Sequence, residues 1–407
     1  MTRRVFVLSA SDRFNYGDLL FPIIAHKQLE QEFEVVNTAI VRTNLADLGA
    51  LPTVPYGSLY QRRGASEPRD AILVAGGEVL GSDWATLYSY VSPAFRKVYD
   101  LFAVRRTTRR GFELVVRNVL GHCEPVPFVP SRDSLLEEVD FFFHAVGGCD
   151  THESEHRENV KKVFDRACYI SAREEDTTRS IKEGLGCSQV VLTPDSAILM
   201  SDYYPKKPTA EGTGYICFQM RGHHWEQYFP TVREQLDLLA EKTGKHVVLL
   251  SIGNCPGHDD QVPLQALHQQ LKCRSTFVKP QSIDAVMMTI ANSDLYLGTS
   301  LHGVITAMSF EVPYLGLDPS ILKIPSYLRT WAPAALQKAT AFENICQAGQ
   351  AALQVDRASL AASLENQKQR VRQSFQRIRD LLKQGMKAPG RSCCPDGTRC
   401  QNTSLSN

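Results

Sequence analysis

An apolar strand that runs into a histidine-glycine turn and then a helix can hold an anion and move a proton, and the segment from Asp294 to Ser309 has that order. Leu295 to Leu297 form the strand, Ser300-Leu301-His302-Gly303 the turn, and Val304 onward the helix. The first N–H groups of a helix lack intrahelical partners, so a phosphate or carboxylate docked there gains hydrogen bonds and a favourable dipole. His302 would stand beside that anion, with an imidazole whose ordinary titration near pH ~6.5 suits it to donate a hydrogen bond or a proton. The plainer alternative is that His302 caps the helix or satisfies a buried backbone group. Arg221, in Cys217-Phe-Gln-Met-Arg-Gly-His-His224, stands at the end of another strand. Its planar fork suits phosphate and carboxylate, so Arg221, His302 and the helix at Gly303 make an anion pocket. Lys323, after the next strand, adds a third positive group. His223 and His224 are adjacent and would diverge in a strand, so no metal pair is expected there.

Four further strand ends point at the same cleft if the strands are parallel, because open α/β sheets bind ligands at their carboxyl ends. The first carries Asn15, Gly17 and Asp18, an amide and a carboxylate flanking a glycine, with an Asx turn and helix cap as the alternative. The second is Gly76-Gly77-Glu78 and the third Gly147-Gly148-Cys149-Asp150, where glycines allow a ligand close to the backbone. The fourth is Ser171-Ala172-Arg173-Glu174, followed by a helix cap at Asp176 or Thr177, with Arg173 pairing acids across the cleft. Neither G-x-G-x-x-G nor G-x-x-x-x-G-K-[ST] occurs, which disfavours nicotinamide and P-loop chemistry.

These side chains must be positioned by strands and helices, and the chain has room for them. Its 407 residues are 43% apolar, enough for two cores. A net charge of +1 provides no global field to recruit nucleic acid or an anionic membrane, so anion selectivity must be local. Eleven cysteines, an odd number scattered through core-like segments, suggest reduced thiols in a cytoplasm. Cys393, Cys394 and Cys400 cluster in the tail without a second metal-ligand pair. The amino terminus reads as a first strand rather than a signal peptide, and no apolar run approaches the roughly 20 residues that span a bilayer. A soluble, cytoplasmic protein is the expectation.

Short apolar runs recur at Val5 to Ser9, Ala71 to Ala75, Phe141 to Val146, Ala167 to Ser171, Val190 to Leu192, Tyr215 to Phe218, His246 to Ser251 and Leu295 to Leu297. Continuous apolar character marks strands covered on both faces. Amphipathic segments lie between them, among them Glu155 to Arg166, Thr177 to Gly184, Trp225 to Thr243, Pro263 to Leu271 and Ser282 to Ala291. Strand and helix in alternation imply a doubly wound α/β architecture. A Pro- and Gly-bearing stretch from Asp202 to Gly214 reads as a linker, separating an N-terminal domain (1–205) from a C-terminal one (214–350). A last helix over 356–387 should pack back on a domain, ending near Gly385, with its basic face solvated rather than bound to nucleic acid; 388–407 reads as a disordered tail.

In order along the chain, Asn15-x-Gly17-Asp18, Gly76-Gly77-Glu78, Gly147-Gly148, Ser171-x-Arg173, Thr193-Pro-Asp195-Ser-Ala, Arg221, Ser300-Leu301-His302-Gly303, Pro313 and Lys323 resemble the polysaccharide pyruvyl transferase family over about residues 5 to 330. Glu174 and Ala75 depart from its pattern, which commonly has aspartate and a third glycine at those places. The resemblance implies two Rossmann-like domains facing a cleft, as in GT-B glycosyltransferases. It implies transfer of the enolpyruvyl group of phosphoenolpyruvate onto two sugar hydroxyls of a glycan or glycan precursor, giving a pyruvate ketal and phosphate. Arg221, Leu301 and His302, with the backbone at Leu301 and Gly303, would then hold the donor, and the N-terminal loops the acceptor, a sugar or lipid-linked glycan. His302 is the candidate acid and Asp18 or Glu78 the candidate base, in a scheme that requires no metal or cofactor. A lipid-linked acceptor would bring the enzyme to a membrane surface. The alternatives are a GT-B glycosyltransferase with a nucleotide-sugar donor, or a non-catalytic glycan-binding member.

Overall fold

The computed structural model describes residues 2–61, 68–102, 106–121, 124–148, 154–206, 214–222, 225–255 and 258–387. Cys149, Asp150, His223, His224, most of the expected linker and the three tail cysteines lie outside these.

The apolar runs form strands of two parallel sheets. The first contains β1 (Arg4–Leu8), β2 (Glu34–Ala39), β3 (Val54–Pro55), β4 (Ala71–Ala75), β5 (Asp140–Val146), β6 (Tyr169–Ala172) and β7 (Val191–Leu192), in the order β3-β2-β1-β4-β5-β6-β7. The second is built from β8 (Tyr215–Gln219), β9 (His246–Leu250), β12 (Ser275–Val278), β13 (Leu295–Gly298) and β14 (Tyr314–Gly316), in the order β12-β9-β8-β13-β14; β10 (Asn254–Cys255) and β11 (His258–Asp259) pair separately. Helices α1 (Tyr16–Leu29), α2 (Trp84–Val91), α3 (Pro93–Phe102), α4 (Arg106–Leu120), α5 (Asp133–Glu138), α6 (Ser154–Phe164), α7 (Glu175–Arg179) and α8 (Met200–Tyr203) accompany the first sheet. With the second go α9 (Phe229–Thr243), α10 (Gln261–Gln270), α11 (Ile283–Ala291), α12 (Leu301–Ser309), α13 (Lys323–Trp331), α14 (Ile345–Leu353) and α15 (Arg357–Lys387).

Strands β4 and β5 are buried along their whole length, as continuous apolar sequence requires of strands covered on both faces. Strands that are only partly covered are harder to see in sequence. β12 is partly exposed throughout and β2 begins exposed, so neither has an apolar run, and neither was expected. The fourth strand end also differs from expectation: α7 takes Glu174 as its N-cap residue, not Asp176 or Thr177, because the backbone is still extended at Glu174 and turns helical from Glu175; the Glu174 carboxylate makes no capping bond and instead accepts from the Thr177 hydroxyl and from Arg173 Nε.

Two cores do not separate by sheet. One apolar cluster runs from β1 and β4 through α1 and residues 197–200 into the second sheet and α12, while another fills the opposite face of the first sheet. At the junction Tyr16 Oη lies 2.8 Å from Thr306 Oγ1. Helix α15 then spans both halves, with Gln367 on Tyr327 and Ser374 on His144. Its basic side chains are used in holding it down: Lys368 and Arg372 meet Asp202, and Arg379 and Lys383 meet Glu32. Gly385 is not its stop. The helix continues to Lys387, and a Cβ at 385 would meet the buried Arg3 guanidinium at 2.2 Å. The thiols are also not all reduced: Cys187, Cys217, Cys273 and Cys346 are free, but Cys168 is disulfide-bonded. No described helix is long and apolar enough to cross a membrane.

Candidate active site

Each sheet reverses its strand order once, between β1 and β4 and between β8 and β13. At such a point adjacent loops leave in opposite directions and open a crevice. The loops that leave these four strands, with the first turns of α1 and α12, carry Asn15, Gly17 and Asp18, Gly76 to Glu78, Arg221, and Ser300 to Gly303. They line a cleft of about 550 Å³ to which both halves contribute, with Arg13, Asp83, Tyr90, Gly148, Arg173, Asp260 and Lys323 among its further walls.

Helix α12 starts at Leu301, a turn earlier than the Val304 expected from sequence. Ser300 is the N-cap, its Oγ accepting from the Gly303 amide at 3.2 Å, and the apolar residues that follow are buried. Ser300, Leu301 and His302 border the cleft, at the end of the helix where amides have no intrahelical partner. Gly303 does not: its amide is taken by the cap, and it is a packing position, since a Cβ there would lie 1.9 Å from the buried Tyr296 hydroxyl.

His302 is therefore not the cap. Phe21 meets its ring edge to face at 5.2 Å, and Nε2 lies 3.5 Å from Oδ2 of Asp195; both atoms are buried and neither makes a hydrogen bond. Gly17 permits this placement, because a Cβ on it would come within 1.9 Å of His302 Nδ1. Its contribution is room for the imidazole rather than a wall of the cleft.

Behind the histidine is a chain of charges. Arg173 is fully buried, with Nε 2.9 Å from Glu174, Nη1 3.7 Å from Asp195 and Nη2 3.9 Å from Glu78. Gly147 makes way for it, since a Cβ at 147 would be 2.8 Å from its Nε. Burial alone would push Arg173 toward neutrality, but the three carboxylates outweigh this and hold it firmly charged. Burial likewise pushes the Asp195 carboxyl up, while His302 and Arg173 together bring it below its ordinary value, so it is ionised. Glu78 is half-exposed and reaches across the cleft to Lys323 at 3.1 Å; despite desolvation, Lys323 and Arg173 keep it below the usual carboxylate range. Asp18 accepts from the Asn15 amide at 2.9 Å, with Arg13 3.7 Å away. On the far wall Arg221 Nη2 donates to Asp318 at 2.9 Å, and its backbone amide is held by Thr299.

Asp195 and Asp318 are the residues that sequence reading passed over. Asp195 stands in the quoted Thr193-Pro-Asp195 motif, but only folding puts it under His302. Asp318 has a signal too, in a left-handed φ of 63° that aspartate tolerates better than most residues, though this is visible only in the structure. Among the described residues, no group of three His, Cys, Asp or Glu side chains is arranged to hold a metal.

Two parallel-sheet halves facing a cleft define the GT-B class of fold. Solved structures share it over nearly the whole chain. UDP-N-acetylglucosamine 2-epimerase from Rickettsia bellii aligns with a TM-score of 0.55 at 10% identity, covering 94% of this chain and 98% of its own. MnaA of S. aureus, solved with UDP, gives 0.51 at 13%, covering 94% and 96%. UDP-GlcNAc 2-epimerase from Methanocaldococcus jannaschii gives 0.50 at 12%, covering 94% and 100%. The family is more specific: the model of polysaccharide pyruvyl transferase matches residues 135–320, the stretch that contains Gly147, Arg173, Asp195, Arg221 and His302, and it indicates a transferase. No curated protein matches the chain.

Proposed function

We propose that the protein transfers the enolpyruvyl group of phosphoenolpyruvate to two hydroxyls of a sugar acceptor in polysaccharide synthesis, releasing phosphate and leaving a pyruvate ketal. The observation that carries this reading is one wall of the cleft: Arg221, Lys323 and the start of α12 converge with a histidine backed by an ionised carboxylate. Phosphoenolpyruvate has a phosphate and a carboxylate, so it needs at least two cationic or N–H-rich groups, and its methylene carbon needs an acid.

In this scheme His302 gives a proton to the methylene carbon, which becomes a methyl group. The adjacent carbon, now oxocarbenium-like, takes the first acceptor oxygen, whose proton goes to a base. Phosphate then leaves with its bonding electrons, and the second hydroxyl closes the ketal and loses its proton. Asp195 favours the tautomer with hydrogen on Nε2, which leaves Nδ1, beside Gly17, as the nitrogen that exchanges protons with the substrate. Asp18 is the better candidate base, because Glu78 is engaged by Lys323 and held at low basicity. Lys323 would exchange this partner for the donor's anionic groups.

The test is calorimetry with phosphoenolpyruvate and, separately, UDP- and GDP-sugars, on the wild type and on Arg221→Ala. Saturable phosphoenolpyruvate binding that the substitution abolishes supports the reading. Binding of a nucleotide sugar instead moves the chain to glycosyl transfer, and binding of neither leaves a non-catalytic glycan-binding role in front.

A further inference from the structure

Of the eight exposed large apolar side chains among the described residues, five lie on one helical hairpin: Val98 and Leu101 on α3, and Leu114, Val115 and Val119 on α4. They are 45 to 73% exposed. The hairpin does not need them to fold. Its inner side is an aromatic cluster of Phe95, Tyr99 and Phe112, with centroids 5.6 to 5.9 Å apart, closed by the buried Val116. The outer aliphatic residues are therefore an exposed group on two neighbouring helices, of the kind that marks an interaction site.

Charge selects the occupant. Residues 93–120 contain seven Lys and Arg against Asp100 and Glu113, a local net charge of +5 in a chain whose total is only +1. A two-fold contact between copies would bring two such hairpins together and oppose like charges. A soluble polyanion would satisfy the charge and leave the aliphatic side in water. Basic amphipathic helices with Leu and Val on one side match the headgroup region of an anionic bilayer, where the apolar face enters the acyl boundary and the cations meet phosphates. We infer that α3 and α4 form a peripheral docking surface for an anionic membrane.

The location gives this surface a use. Thr86 Oγ1 lies 2.9 Å from Tyr99 Oη, and Tyr88 packs edge to face on Phe95 at 5.1 Å, so the hairpin is fastened to α2. Thr86, Leu87 and Tyr90 of that helix line the cleft. Docking by the hairpin would set the N-terminal side of the cleft beside the bilayer, within reach of an acceptor carried on a lipid. The inference rests on exposure and charge and does not depend on the identity of the donor.

The experiment is flotation of the full-length protein with vesicles of phosphatidylcholine alone or mixed with phosphatidylglycerol. The expected result is flotation with the anionic vesicles at low salt, reduced at least about tenfold in 1 M salt, where the screening length falls to ~3 Å. The double variant Leu114→Ser/Val119→Ser should lose binding to the same degree while its thermal melt is unchanged, and Leu101→Ser provides an independent variant on the other helix. Absence of flotation with anionic vesicles would overturn the inference. Equal flotation with neutral vesicles, or of the variants, would do the same. A dimer in sedimentation that the double variant dissolves would reassign the face to self-association. None of these outcomes bears on phosphoenolpyruvate binding, which calorimetry reads separately.

Discussion

At the scale of single residues, the contact between His302 and Asp195 is the one on which the proposed chemistry depends. Asp195→Asn keeps the shape of the side chain but removes the charge behind the imidazole. It is expected to lower kcat about 10²-fold while leaving KM for phosphoenolpyruvate nearly unchanged, because the donor's anionic groups are held elsewhere. A purely structural role would instead appear as a lower melting temperature with unaltered turnover per folded molecule. Gly17→Ala tests the same ring from its other side. The new methyl would overlap Nδ1, so the imidazole must move by more than an ångström, and turnover should fall about 10²-fold at a stability cost of about 1–3 kcal/mol. Wild-type turnover in this variant would show that the position of His302 is not critical.

At the scale of elements, α15 is docked through a buried histidine. His144 Nδ1 is 2.9 Å from Ser374 Oγ, its ring packs on Phe375 at 4.3 Å, and Nε2 is buried without a hydrogen bond. Burial lowers its pKa from the ordinary 6.5 to about 4. The unfolded chain therefore binds a proton between those values and the folded chain does not, so stability falls as the pH drops from about 6.5 towards 4. Between pH 7 and pH 5 the loss attributable to this residue is about 2 kcal/mol, at ~1.36 kcal/mol per unit. His144→Gln should flatten that part of the stability curve, as read by denaturant titrations at the two pH values; an unchanged slope would mean that His144 is accessible to protons in the folded state.

For the molecule as a whole, the Glu78–Lys323 pair is a charge contact that reaches across the cleft, joining its two walls. Both partners are partly exposed, so the pair contributes below about 1 kcal/mol and Glu78→Gln should shift Tm by less than about 2 °C. Binding is another matter, because the donor must take Lys323 from Glu78. The variant is expected to bind phosphoenolpyruvate about threefold more tightly, the equivalent of losing one exposed pair. A fall of about 10²-fold in kcat would instead assign Glu78 as the base.

The amino-acid sequence by itself determined the parallel sheets, because strands such as Phe141 to Val146 are apolar without alternation and can only be covered on both faces. It also marked the turn at Ser300 to Gly303, since the signals there, an apolar strand, a glycine and a second apolar run after it, are local. Folding decided which residues act together. Asp195 and His302 are more than a hundred positions apart, Glu78 and Lys323 more than two hundred, and no local preference records such a distance. Gly17, Gly147 and Gly303 looked like ligand-binding glycines, but the first two make room for His302 and Arg173 and the third for Tyr296. The partner of a glycine is set by packing across the fold, which a sequence encodes only through the whole structure.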